Sequence, residues 1–79
     1  MKIPRDVDAS SLINQLKKCG YTAVRQKGSH IRLTKMTVLG KHDISIPNHQ
    51  VIKIGTLSNI VNDVCKHNKI DVKEFYNRL

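Results

Sequence analysis

The spacing of apolar residues changes twice along this 79-residue chain, and those two changes restrict the folds open to it. From Leu12 through Ile13 and Leu16 to Cys19 the apolar positions recur every three or four residues, the period of one helix face. Between Tyr21 and Ile46 they alternate, most clearly at Ile31 and Leu33 and at Ile44 and Ile46, as strand residues do. From Leu57 through Ile60, Val61, Val64 and Cys65 the helical spacing returns. The chain therefore reads as helix, extended segments, helix.

Local signals set the boundaries. Asp8 is read as the N-cap of a helix over Ala9 to Cys19, with Val7 and Leu12 at staple positions and Gly20 at the left-handed end. Tyr21 to Gln26 is the first strand, although Arg25 and Gln26 leave its buried face undecided. Lys27-Gly28 makes a tight connection to a second strand over His30 to Val38. Leu39-Gly40-Lys41 turns into a third, His42 to Ile46, which Pro47 ends. Asn48 to Ile54 is a loop, Gly55 is the entry and Thr56 the cap of a second helix, and Asp71 with Glu74 makes a capping box for a short third one.

Three short strands joined by short links form an antiparallel meander. Two amphipathic helices have only that sheet to cover, so both pack on one face and leave the other open. The expected architecture is α+β: α-β-β-β-α with a three-stranded antiparallel sheet, two helices on one face and a short extra C-terminal helix. Residues 1–79 are taken as one domain, with 71–79 its helical extension. Strand parity puts His30, Arg32 and Thr34 on the open face, away from Ile31 and Leu33.

Composition narrows the function. Lys and Arg number 14 against 6 Asp and Glu, a net charge of +8. Between Ala9 and Asn62, eight basic residues face Asp43 alone, so most of the excess lies in the middle of the chain. A one-sign field of that density attracts polyanions, nucleic acid above all. No apolar run nears the roughly 20 residues of a membrane span, and Met1-Lys2-Ile3-Pro4 leads into no apolar leader, so a cytoplasmic, non-membrane protein is expected. Cys19 and Cys65 each sit on a helix's apolar stripe and are read as reduced core thiols. The four histidines fall at no recognised Cys/His spacing, so neither a metal nor another cofactor is expected.

Arg25-Gln26-Lys27-Gly28-Ser29-His30 concentrates the chemistry. An imidazole exchanges protons near neutral pH, and the cations flanking it can hold phosphate. RNA cleavage needs a base for the 2′-hydroxyl and positive charge for the phosphorane.

These residues also carry a family resemblance. Leu12 and Leu16 before Gly20-Tyr21, the Gly28-Ser29-His30 core, Ile46-Pro47-Asn48-His49, and Gly55-Thr56-Leu57 with Ile60 together resemble the HicA toxin family over nearly the whole chain. The match departs at Ile54, where that family commonly carries proline. The resemblance implies a double-stranded-RNA-binding-domain-like fold. It implies the toxin of a type II toxin–antitoxin pair, a ribosome-independent, metal-independent mRNA endoribonuclease using one histidine. It also implies a HicB-type antitoxin as partner. The catalytic histidine maps onto His30.

Roles follow as expectations. His30 acts as general base or acid on single-stranded or unstructured mRNA, and Arg25, Lys27 and Arg32 neutralise its phosphates. Ser29 either binds phosphate and orients the imidazole or is simply a turn residue. His49 is the candidate second proton-transfer group, with a plain loop histidine as the competing reading. Gly28, Gly55 and Thr56 are turn and cap residues. The competing functions are a non-catalytic RNA-binding module of the same fold, an orphan non-toxic family member, and a basic face that only docks an acidic protein.

Overall fold

A computed structural model of the chain describes residues 6–48 and 51–79. The elements run α1 (Ala9–Lys18), β1 (Thr22–Lys27), β2 (His30–Thr37), β3 (Gly40–Pro47), α2 (Ile54–Asn68) and α3 (Val72–Asn77). The three strands form one antiparallel sheet in the order β1-β2-β3. This is the expected α-β-β-β-α arrangement with a short terminal helix.

α1 starts and stops on its own local signals. The Ser11 amide donates to Asp8 Oδ1 at 2.7 Å, which holds the Asp8 carboxyl below its ordinary pKa. At the other end the amides of Gly20 and Tyr21 donate to the carbonyls of Lys17 and Leu16, both at 3.0 Å, a Schellman closure. Gly20 takes φ +106° there, and a Cβ on it would meet the Lys35 side chain at 3.1 Å. That gap lets the Lys35 stem pass over the glycine and deliver its ammonium to the Cys19 carbonyl at the helix end.

The start of α2 corrects the sequence reading. Thr56 is not the cap. The helix begins three residues earlier, at Ile54, Lys53 occupies the cap position without a side-chain bond, and the Leu57 amide donates to the Lys53 carbonyl. What anchors this end is tertiary: Ile52 is buried and its amide donates to the Val7 carbonyl at 2.8 Å. Ile54 is therefore the first helical residue, a position where proline is also tolerated. Gly55 has no positive φ and open space where a Cβ would sit, so no steric demand explains it. At α3, Asp71 caps by accepting from the Lys73 amide, but Glu74 bonds Arg78 instead of closing a capping box.

One core lies between the sheet and the helices. Leu12 and Leu16 of α1, Leu33, Ile44 and Ile46 of the sheet, Leu57, Val61 and Val64 of α2, and Phe75 of α3 are all buried in it. Both long helices thus cover the same sheet face. Tyr21 belongs to this core, just before β1. β1 itself buries no side chain. Cys65 is buried, Cys19 half-buried, and both are free thiols. Burial pushes the Cys65 thiol up to about 11.

Candidate active site

Gly28 and Ser29 connect β1 to β2, with Lys27 and His30 as the closing cross-strand pair. Gly28 alone of the two has positive φ, +58°, the pattern of a II′ hairpin turn with glycine at its first central position. The turn makes His30 the first residue of β2, and His30 is also paired with Pro47 of β3.

A β-bulge decides which residues join it. Ala23 pairs with Leu33, yet Arg25, not Val24, pairs with Arg32. Residues two apart on a regular strand share a face, so without the bulge Arg25 and Lys27 would follow Ala23 toward the helices. The extra residue reverses the parity. Arg25 lands opposite Arg32 and Lys27 opposite His30, all on the open face. Val24 stays 55% exposed. The face of β1 left undecided by its sequence is settled here.

Arg25, Lys27, His30 and Arg32, with Ser45 from β3, line an open concavity of about 340 Å³. Each of these side chains is exposed. Among the described residues none of the three cations forms an ion pair. Asp43, the acid of this face, lies further along it and accepts from the Thr34 hydroxyl. That bond, then the charges of Lys41 and Arg32, holds its carboxyl below the usual range. Like charges directly opposite on a sheet repel, so Arg25 facing Arg32 is an arrangement that an anion would relieve. The Asn48 amide donates to the Ser29 carbonyl and ties the chain after Pro47 to this end of the site. His49 lies outside the described residues. Pro47 and Thr56 also line a second concavity of about 550 Å³ with Val51, Ile52 and Lys53. Ser29, in the turn, is exposed and lines neither.

A scan of family models matches residues 9–70 to the HicA toxin of bacterial toxin–antitoxin systems. The chain belongs to the HicA toxin family. Membership assigns it to the toxin side of such a pair and implies a cognate antitoxin. Comparison with curated proteins and with solved structures returned no significant match. α3 falls beyond the segment matched to the HicA family. No helix among the described residues is long and apolar enough to cross a membrane.

A second polar cluster, on the helix-covered side of this HicA sheet, escaped the sequence reading. His42 is 5% exposed, and its Nε2 lies 2.8 Å from Asp63 Oδ2. A carboxylate only accepts, so Nε2 carries the ring proton and Nδ1 accepts from the Tyr21 hydroxyl. Burial raises the Tyr21 phenol above its ordinary pKa, which keeps that donor protonated. Asn68 donates to Tyr21 and accepts from Lys35, so the bonds run in one direction from Lys35 to Asp63. The signal was present: His42 shares its strand parity with Ile44 and Ile46, and Asp63 and His67 are one helical turn apart.

Proposed function

We propose that the open face is the active site of a metal-independent endoribonuclease acting on unstructured mRNA, with His30 as its proton-transfer group. The observation that supports this most is an exposed imidazole ringed by three unpaired cations, at the motif position the HicA resemblance marks. Ribonucleotide cleavage by this set of groups proceeds by internal transfer. His30 takes the 2′-hydroxyl proton, the 2′ oxygen attacks the adjacent phosphorus, and the bond from phosphorus to the 5′ oxygen breaks. A 2′,3′-cyclic phosphate and a free 5′-hydroxyl result. Arg25, Lys27 and Arg32 offset the charge that grows on the non-bridging oxygens. The leaving oxygen takes its proton from His49 or from water. Among the described residues the concavity's lining holds no carboxylate for a hard cation such as Mg²⁺, which favours the metal-independent route.

In this reading residues 1–79 work as one cytoplasmic domain, and a HicB-type antitoxin silences it by covering the same cations with acidic groups. The test is cleavage of an unstructured RNA in EDTA by the purified chain. Wild type is expected to cut, His30→Ala is not, and a 2′-deoxy substitution at the cleaved position blocks the cut. Cutting of the 2′-deoxy strand would overturn the internal-transfer mechanism. RNA binding without cutting would move the protein to the non-catalytic binding module.

A further inference from the structure

We propose that His42, Asp63 and His67 form a structural site for a divalent transition-metal ion such as zinc, on the opposite side of the sheet from His30. Each of the three offers one ligand atom, and these atoms lie within 4.8 Å of one another. His42 Nε2 stands 2.8 Å from Asp63 Oδ2, and His67 Nδ1 stands 3.3 Å from Asp63 Oδ1. Two ligands about 2.0–2.1 Å from a tetrahedral zinc are roughly 3.3 Å apart, so each imidazole nitrogen already stands near coordination spacing from an Asp63 oxygen. Two imidazoles and one carboxylate suit zinc or a neighbouring divalent ion, with water as fourth ligand.

The surroundings have the features of a metal shell. A coordinating histidine normally passes its other ring nitrogen to a hydrogen-bond partner that fixes its orientation. His42 Nδ1 has one in the Tyr21 hydroxyl, which Asn68 holds in turn. Metal at Nε2 would send the ring proton to Nδ1, which then donates to the Tyr21 oxygen beside the Asn68 amide; the imidazole stays neutral, and the Tyr21 hydroxyl gives up the bond it donated. Entry is open, because the Asp63 side chain is half exposed and borders a concavity shared with Asp43, Ser45 and Asn59.

One rearrangement is required. The His42 and His67 rings are stacked, 3.8 Å apart and within 11° of parallel, and an ion cannot lie in both ring planes at once. His67 is the ring that turns. Its side chain is a quarter exposed and, apart from the stack on His42, is held by its Nδ1 contacts to the carbonyl and carboxylate of Asp63, whereas His42 is pinned in the core.

Cobalt(II) titration into the untagged, EDTA-stripped full chain is the test, since a four-coordinate site colours the ion. A visible band with an equimolar end point, bleached by added zinc, is expected, together with a higher thermal midpoint in zinc. Asp63→Asn, at a half-exposed side chain, and His67→Ala, at one a quarter exposed, are expected to weaken cobalt binding at least tenfold. Tyr21→Phe loses the orienting bond and costs about tenfold. Absence of a saturable band in the wild-type chain overturns the site. So does a band that survives His67→Ala and vanishes in His30→Ala.

Discussion

The two faces of one small sheet use histidine in opposite ways. On the open face His30 stands exposed beside Arg25, Lys27 and Arg32, with no side-chain partner among the described residues. On the covered face His42 is buried with both ring nitrogens engaged, in a chain where each donor from Lys35 to Asp63 meets an acceptor. Burial explains the difference. A polar group under helices must be paired or it costs stability, whereas an unpaired charge in water costs little and is free to meet a ligand.

Substitution of the two histidines should separate these roles most sharply. His30→Ala is expected to lower RNA cleavage by about 10²–10⁴-fold with an unmoved unfolding midpoint. His42→Ala leaves the Tyr21 hydroxyl without its acceptor and should cost about 1–3 kcal/mol in urea unfolding. Equal midpoints for both variants would erase the contrast.

The covered side should also show an alkaline signature. The Cys65 thiol titrates at about 11 when folded, because it is buried, against 9.0 ordinarily. Between those values the unfolded chain holds fewer protons than the folded one, so stability is full below pH 9 and declines as pH rises toward 11. Cys65→Ala should flatten that decline relative to wild type. An identical decline in the variant would assign it to other groups.

On the open side the expected effects are smaller and electrostatic. Arg25→Ala or Lys27→Ala should each reduce the salt slope of RNA binding by about one counterion. An unchanged slope would take that residue off the phosphates. The mildest change is deletion of Val24. It turns the bulge into a regular ladder while keeping Ala23 opposite Leu33 and Arg25 opposite Arg32, so the slope should hold and the melting midpoint move only slightly. A collapse of RNA binding would mean that the bulge's local twist, and not just its parity, places the cations.

What could be read in advance follows the range of the forces involved. α1 was legible to within a residue because Asp8 and Gly20 act on their own neighbours. α2 was misplaced at its start because Thr56 has the chemistry of a cap, while burial of Ile52 decided where the helix begins. His30 and Arg32 were legible by parity on a regular strand. Arg25 and Lys27 were recognised as chemistry, but their face depended on a bulge that leaves no mark in the pattern of β1. The His42 cluster was invisible to motif spacing because Asp63 lies 21 residues away on another element.

The amino-acid order by itself determined the succession of helices and strands, the basic middle of the chain and the turn that starts β2 at His30. Each rests on period, charge or glycine geometry within a few residues. Tertiary structure alone decided the bulge that turns Arg25 and Lys27 outward, the true start of α2, and the meeting of His42 with Asp63 and His67. Those outcomes depend on which distant groups become neighbours once the core closes, and no local preference along the chain records that.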